Sequence, residues 1–402
     1  MKRFAVIRRG VGGNNFVPSR ELMGLVLLSI LLVICTVAVT ELETAIREPQ
    51  ATWEYLVESH EWEVEQHFDV AFYNATEGWV VGKGDVGMEY EDIGHGIIWH
   101  TDDGGETWDI VYSRQNDYIM HIEIVDSERI WVATRWGLLR TEDRGQTWQS
   151  VYGVYGRAST VEFLNNTYGL ASGNHQLFET FDSGETWQEV QSWSFDSSLY
   201  QIHFVNRTNI WCCGYDGIFH SADGGETWIH EREQRAYSMS ASNGTHAWAL
   251  GYDLGIAHTT DGQNWSPDMV VSQRSWRIDF YKDMEFIGNQ KGWLVGSGNP
   301  AVAYTPDGGK TWYDQMPRSA SLNAVDFINE THGWAVGWDG VIVRTENGNL
   351  YGKRLITDGP WFSIGFGIVR FPAAAFLANG IITIVVSTLI VADWIYRRWR
   401  GR

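Results

Sequence analysis

Thr101-Asp102-Asp103-Gly104-Gly105-Glu106-Thr107-Trp108 decides how the rest of this chain is read, because it recurs. It returns as Thr141-Glu142-Asp143-Arg144-Gly145-Gln146-Thr147-Trp148 and as Thr180-Phe181-Asp182-Ser183-Gly184-Glu185-Thr186-Trp187. Two further copies are Ser221-Ala222-Asp223-Gly224-Gly225-Glu226-Thr227-Trp228 and Thr305-Pro306-Asp307-Gly308-Gly309-Lys310-Thr311-Trp312. A shortened copy is Thr259-Thr260-Asp261-Gly262-Gln263-Asn264-Trp265, and a decayed one, Thr345-Glu346-Asn347-Gly348, has no Trp after it. The tryptophans of the complete and shortened copies lie 40, 39, 41, 37 and 47 residues apart. A fixed period of that length points to a repeat architecture.

Each repeat parses into four short strands. In residues 118–148, Tyr118–Ile124 alternates as a first strand, Ile130–Ala133 is a second and Leu138–Arg140 a third. The Asp-Gly element is the next turn, and Trp148 opens the fourth strand. The second strand recurs around Trp79, Trp211, Trp248, Trp293 and Trp334. Four strands per repeat of about 40 residues is the pattern of a propeller blade. The expected fold is therefore all-β, a seven-bladed propeller of four-stranded blades over residues 52–350. The turn chemistry explains the element: Asp103, Asp143, Asp182, Asp223, Asp261 and Asp307 accept backbone N–H groups of their own turns, and Gly takes positive φ. They are structural, not catalytic. Thr52-Trp53-Glu54-Tyr55-Leu56-Val57-Glu58 matches Thr107–Ser113, the strand the decayed copy lacks. Residues 52–58 are expected to supply it and so close the last blade.

These Asp boxes, with Gly333-Trp334-Ala335-Val336-Gly337 and its relatives, resemble the photosystem II stability/assembly factor-like propellers, within the broader Asp-box (BNR) superfamily. The resemblance spans residues 52–350. It implies a non-enzymatic, seven-bladed propeller that helps to assemble a membrane complex, with no cofactor or metal.

The formal charge is -20, unevenly spread. Residues 1–20 hold five basic residues and no acid, residues 361–402 five arginines and one acid, leaving 20 basic and 49 acidic residues between. Such a body repels phosphate backbones, which argues against nucleic-acid binding. Only six of the 30 basic residues are Lys, a composition suited to hydration at high salt, as in a halophile. Three cysteines make no disulfide framework; Cys212 and Cys213 are expected to be buried free thiols on opposite faces of one strand.

Residues 22–40 carry no charge and are long enough to span a bilayer as a helix, following a basic segment at 1–21. A cleaved signal peptide is the rival reading. A second uncharged run starts at Ala373; the span is taken as 373–394, followed by a basic tail at 395–402. Both basic flanks belong in the cytoplasm, so the propeller is expected on the extracellular side of the cell membrane. Residues 41–51 are read as a linker and 351–372 as a linker plus an interfacial segment, Trp361–Phe371.

Strand alternation sorts the loops onto two faces. The Asp-box face also carries five Asn-x-Thr turns, at Asn74, Asn165, Asn206, Asn243 and Asn329, which are glycosylation acceptors in an exterior domain; inheritance of a turn residue is the competing account. The opposite face gathers Arg114, Arg157, Arg235, Arg274, Arg277 and Arg318 in its blade-to-blade loops, with Arg135, Tyr215, Tyr252 and Trp338 in its second-to-third turns. Arginines and aromatics are favoured at the centres of protein interfaces, so these ten are the candidate partner-binding residues. Local pairing of the arginines with surface acids is the competing reading. The insertion Gly82–Gly96 is acidic but matches no calcium-loop spacing.

The enzymatic alternative is a sialidase-like glycosidase or glycan-binding protein of the same superfamily. Such enzymes carry a Phe-Arg-Ile-Pro motif before the first blade, and here only Val369-Arg370-Phe371-Pro372, at the far end, comes near it. His100, His220 and His258 recur before Asp boxes, but Arg140, Glu179, Tyr304 and Arg344 hold that position elsewhere, so they form no uniform ligand ring. The expected partner is a protein complex of the membrane or cell surface.

Overall fold

The computed structural model describes residues 51–57, 66–84, 94–154, 156–251, 255–266, 281–298, 300–316 and 320–350, with three short strands beyond them. Among the described residues every regular element is a strand. The first, β1, is Glu54–Val57. Five separate four-stranded meanders follow. They are β2–β5 (Gln66–Phe72, Gly78–Gly84, His95–Thr101, Asp109–Gln115) and β6–β9 (Ile119–Ile124, Ile130–Thr134, Gly137–Thr141, Gln149–Val151). Next come β10–β13 (Ala158–Phe163, Gly169–Gly173, Gln176–Thr180, Gln188–Glu189) and β14–β17 (Leu199–Phe204, Ile210–Gly214, Gly217–Ser221, Ile229–Arg232). The fifth is β18–β21 (Ser238–Ala241, Ala247–Gly251, Gly255–Thr259, Trp265–Ser266).

A nine-stranded sheet completes the unit. One part is β22–β25 (Tyr281–Ile287, Lys291–Gly298, Val302–Thr305, Trp312–Asp314); the other is β26–β28 (Ala320–Phe327, Gly333–Gly337, Ile342–Thr345) with β1 on its edge. The two parts join where Ser297 and Gly298 of β23 pair with Ser321 and Ala320 of β26. First strands β2, β6, β10, β14, β18, β22 and β26 pack against one another in that order, and β26 packs against β2. The sheets thus surround an axis, as in a propeller.

Burial is deepest one strand out from that axis. Second strands such as Ile130–Thr134 and Ile210–Gly214 are buried throughout, because both faces are covered by neighbouring sheets. The fourth strand Asp109–Gln115 is mostly exposed and polar.

The second-strand tryptophans join neighbouring sheets. Trp79, Trp131, Trp211, Trp248, Trp293 and Trp334 are all buried. Trp248 stacks on Phe286 of the next sheet at 4.0 Å, and its Nε1 donates to the Gly308 carbonyl in that sheet's Asp box at 3.2 Å. Trp293 does the same with Phe327 (3.8 Å) and Gly348 (3.0 Å). Trp334 repeats it across the ends of the chain, with Phe72 (3.6 Å) and Gly104 (3.0 Å). The glycine before Trp79, Trp293 and Trp334 has a packing reason: a Cβ on Gly78, Gly292 or Gly333 would meet the ring of Phe72, Phe286 or Phe327 at 2.4–2.5 Å.

Residues on the third strand cover the same tryptophans. His220 stacks on Trp211 at 3.8 Å, His258 on Trp248 at 4.8 Å and His100 lies 4.8 Å from Trp79. Tyr304 and Arg140 occupy that place over Trp293 and Trp131. A planar group at this position is what the tryptophan needs, which explains why His, Tyr and Arg interchange there. Burial holds His220 down to about 4, so its ring is neutral at pH 7.

The Asp boxes are closed hydrogen-bond loops. Asp103 Oδ1 accepts the Thr107 N–H at 2.9 Å, Oδ2 accepts the Thr107 hydroxyl at 2.7 Å, and Thr101 Oγ1 accepts the Gly105 N–H at 2.9 Å. These bonds, the Thr107 N–H first, pull the Asp103 carboxyl down to about 2. Asp143, Asp182, Asp223 and Asp307 repeat the geometry, and Asp261 uses Asn264 instead. Each complete box also docks on the first-to-second turn of its own sheet, as where the Gly104 N–H donates to Thr76 O at 2.7 Å.

The last box is assembled from two ends of the chain. Asn347 Oδ1 accepts the Thr52 N–H at 2.7 Å, taking the part Asp103 plays for Thr107. Trp53 lies edge-on to Phe327 at 5.9 Å, as Trp108 does to Phe72 at 6.1 Å. β1 pairs antiparallel with β28, Glu54 opposite Arg344. Arg344 bonds both Glu54 (3.3 Å) and Glu106 of the first Asp box (2.8 Å). Buried Gln315 holds the junction: its amide donates to the Gly348 and Leu350 carbonyls and accepts from Trp53 Nε1.

At the axial side of six of the seven first strands, a side chain of the preceding sheet accepts a backbone N–H. Asp69 accepts the Ile122 N–H (3.0 Å), Glu123 that of Phe163 (3.3 Å) and Gln201 that of Met239 (2.7 Å). Ser240 accepts from Phe286 (3.1 Å), Glu285 from Phe327 (2.7 Å) and Asp326 from Phe72 (2.6 Å). Buried N–H groups seldom stay unpaired, and here the sequence meets that demand with polar side chains one sheet away.

Several expectations need correction or fall elsewhere. Within the expected linker 351–372, Lys353–Leu355 (β29) adds a strand to the open edge of β25, where N–H and C=O groups would otherwise lack partners. Trp361–Ser363 (β30) and Arg370–Pro372 (β31) form a hairpin of their own. The spans expected at 22–40 and 373–394, and residues 85–93 of the acidic insertion, lie outside the described residues; among those described, no helix is long and apolar enough to cross a membrane. Cys212 and Cys213 are free and buried in different inter-sheet cores, and burial pushes both thiols up.

Trp334→Ala is expected to cost about 3–5 kcal/mol in urea unfolding, the range for emptying a buried aromatic site. Asn347→Ala is expected to cost roughly 1–2 kcal/mol and to speed amide exchange in β1 ahead of β2, because it removes the acceptor of the Thr52 N–H.

Candidate interaction site

One backbone bond recurs on the face opposite the Asp boxes. The first residue of a second-to-third turn donates its N–H to the carbonyl just before or at the start of its sheet's first strand. Arg135 bonds Tyr118 (3.2 Å), Asn174 bonds Arg157 (3.1 Å), Tyr215 bonds Ser198 (2.9 Å) and Trp338 bonds Ser321 (2.9 Å). The approach is close: a Cβ on Gly337 would stand 1.9 Å from Ser321 O, and one on Gly214 2.3 Å from Ser198 O. This pinning explains the glycine that ends each Gly-Trp-x-Val-Gly strand. It also presents residues 135, 215 and 338 at matching places.

The described arginines of this face rest on aromatic rings. Arg114 and Arg135 lie 5.9 and 5.2 Å from the centre of the Trp136 ring. Arg157 lies 5.4 Å from Tyr118. Arg235 is ringed by Tyr215 (4.8 Å), Tyr237 (5.2 Å) and Tyr200 (5.3 Å), and donates to the Tyr200 hydroxyl. Lys282 sits 5.6 Å from Tyr237. Each such contact contributes about 0.5–1 kcal/mol at an exposed position, and Arg114 and Arg157 are exposed while Arg135 and Arg235 are half-buried.

Acids do not neutralise these arginines. Among the described residues none of Arg114, Arg135, Arg157 and Arg235 forms an ion pair, so for these four local pairing is not what the structure contains. The Arg and Lys ion pairs belong to Arg129, Arg140, Arg144, Lys291 and Arg344, on the strands and loops around the Asp boxes. The acid nearest the first pair is Asp117, fully buried. Its Oδ1 accepts the Tyr118 and Arg135 N–H groups at 2.9 and 3.2 Å. Burial pushes its carboxyl up, against the pull of Arg114 and Arg135.

Trp136 (53% exposed), Tyr215 (57%) and Trp338 (44%) stand out from this face at equivalent turns. Trp338 Nε1 donates to Asn323 Oδ1 at 3.1 Å, which fixes its ring. Arg274, Arg277, Arg318 and Tyr252 lie outside the described residues. Trp136, Tyr118, Tyr200 and Tyr237 are additions that the sequence reading did not select. Trp136 was legible as the neighbour of Arg135 in its turn; the tyrosines sit next to or within strand stretches and drew no notice.

The five Asn residues of the other face all build the same turn. Asn74 Oδ1 accepts the Thr76 N–H, the Thr76 hydroxyl and the Glu77 N–H at 2.8–2.9 Å, and Asn165, Asn206, Asn243 and Asn329 accept the matching three. Asp126 makes the turn with two N–H groups and no Thr. The turn therefore accounts for an acceptor at this place, and the Thr adds one more bond to it. Among the described residues no group of three or more His, Cys, Asp or Glu is arranged to hold a metal ion.

No protein-family model matches the sequence, and no curated protein matches it. Solved structures do. YCF48 from Cyanidioschyzon merolae superposes with a TM-score of 0.57 at 19% identity, over 74% of this chain and 99% of that one. A structure of YCF48 bound to a D1 peptide gives 0.56 at 20% identity, with the same coverage. A GH74 xyloglucanase from Xanthomonas campestris gives 0.57 at 13% identity, over 74% of this chain but 54% of the enzyme. Likeness at these identities establishes the architecture: the chain folds as a β-propeller.

Proposed function

We propose that this chain is a seven-bladed, membrane-anchored propeller whose arginine and aromatic face binds a protein, as an assembly or stability factor for a membrane or cell-surface complex. One observation carries the reading: in an acidic body, four arginines of one face stand on aromatic rings without carboxylate partners among the described residues. Aromatic-backed arginines with free edges suit a partner that brings carboxylates or carbonyls. That YCF48 is seen with a D1 peptide supports a role in which such a propeller holds a segment of a membrane protein. Arg114, Arg135, Arg157, Arg235, Tyr215 and Trp338 are the described binding residues, and Arg274, Arg277, Arg318 and Tyr252 extend the set. Residues 22–40 and 373–394 anchor the protein, both termini are cytoplasmic and the propeller lies outside the cell, where a halophile's acidic surface keeps it hydrated. The chain needs no cofactor and performs no catalysis.

The triple variant Arg114→Glu/Arg135→Glu/Arg157→Glu is expected to lose its partner by at least about tenfold in capture from gently solubilised membranes, with thermal stability kept. Undiminished capture removes the face from consideration, and release of sugar from surface polysaccharide by the wild type would favour the glycosidase reading instead. On an exterior domain the Asn-x-Thr turns are glycan acceptors; intact mass before and after deglycosylation should differ, and a single unmodified mass defeats that part.

A further inference from the structure

The axis of the propeller gathers acids that the interaction face does not use. Asp69 on β2, Glu123 on β6, Glu162 on β10, Asp283 and Glu285 on β22, and Asp326 on β26 all belong to first strands, which pack against one another around the axis. Five of the six accept a backbone N–H from the next sheet: Asp69, Glu123, Glu285 and Asp326 as given above, and Asp283 from Val325 at 3.0 Å. They are thus the fasteners between sheets as well as a concentration of like charge.

The other groups facing the collar do little to balance it. His121 Nε2 comes within 3.8 Å of Asp69, but burial holds that imidazole down to about 4, so it is neutral at pH 7. His203 bonds the Ala241 carbonyl at 2.8 Å and is also pushed down by burial. β14 adds Gln201, and β18 adds only Ser238 and Ser240. Among the described residues no Lys or Arg pairs with any of the six acids.

We propose that this collar is a proton-operated clamp, tight while its carboxyls carry protons and slack once they ionise. A protonated carboxyl keeps a carbonyl oxygen for the neighbouring N–H and sheds its charge; an ionised collar gathers up to six negative charges, each on a half-buried side chain, around one axis. The direction of titration agrees. Burial, then the neighbouring acids, raises Asp326 to about 7, Asp283 to about 6 and Glu162 to about 8. Burial raises Asp69 to about 7, and Glu123 and Glu285 lie well above the ordinary range. A carboxyl raised in the folded state lends its stability below its unfolded value, near 4, and loses it as pH rises through the folded one. The collar therefore weakens as pH rises from about 4 through the folded values, about 6 to 8 for Asp283, Asp69, Asp326 and Glu162. The Asp boxes, with depressed carboxyls, weaken only in acid, as pH falls through the folded value (about 2 for Asp103).

The test is thermal unfolding of the full chain at pH 5, 7 and 9 and fixed ionic strength. Wild type is compared with Glu123→Gln/Glu285→Gln, which keeps an acceptor at each place, and with Glu226→Gln on an exposed Asp-box loop as the control. Wild type and control should lose roughly 5–10 °C across the range, and the double variant less than half of that. Equal losses in all three overturn the proposal. Should the double variant not fold, wild-type amide protection at Phe163 and Phe327 decides. A fall of about tenfold from pH 6 to pH 8, beyond the intrinsic change, supports the clamp, and unchanged protection refutes it.

Discussion

The contact on which the ring depends is the second-strand tryptophan held between two sheets. It is buried, and in three described cases it is stacked against a phenylalanine of the next blade and hydrogen-bonded through Nε1 to a glycine carbonyl in that blade's Asp box. One side chain thus supplies apolar area, shape and the partner of a buried donor. The Asp box is the rigid counterpart. Its internal bonds fix where the glycine carbonyl points, and the glycines allow the turn to pass close enough to be reached. Neither element is useful alone, which is why they recur together along the chain.

Much of this was legible because the repeat is a packing rule written out several times. The Gly-Trp-x-Val-Gly strand and the Asp box announced four strands per repeat, and the likeness of Thr52-Trp53 to Thr107-Trp108 pointed to a strand borrowed from the other end. The pairing of β1 with β28 and the bond from the Thr52 N–H to Asn347 have that geometry. Other features had no local signature. β29 pairs through backbone groups, so no side-chain pattern marks it. The axial acids share their pattern with ordinary surface alternation, because a strand cannot tell whether its polar face meets bulk water or six other strands. The histidines before the Asp boxes were legible as no ligand ring, but that their rings cover tryptophans was not.

The two faces divide the charge of the protein between different tasks. Around the Asp boxes, Arg140 and Arg344 reach across to Glu185 and Glu106 of the next sheet, so the arginines there bind sheet to sheet. On the opposite face, arginines of the same chain find tyrosine and tryptophan rings instead. The difference lies in the loops: Asp boxes bring Glu106 and Glu185 to the junctions with Arg344 and Arg140, whereas second-to-third turns bring aromatics. A repeat that is uniform in its strands therefore produces faces of distinct chemistry.

The split Asp box also bears on how the chain is made. Thr52 and Asn347 stand 295 residues apart, so β1 leaves the ribosome long before β28 exists. At typical synthesis rates that interval is roughly 15–60 s, during which Trp53 and the unpaired edge of β1 have no native partner. The circle cannot be completed piecemeal from one end: the first segment made must wait for nearly the last. Synthesis imposes an order on this propeller that its circular symmetry conceals, and the seam between its first and last sheets is the site most exposed to misassembly.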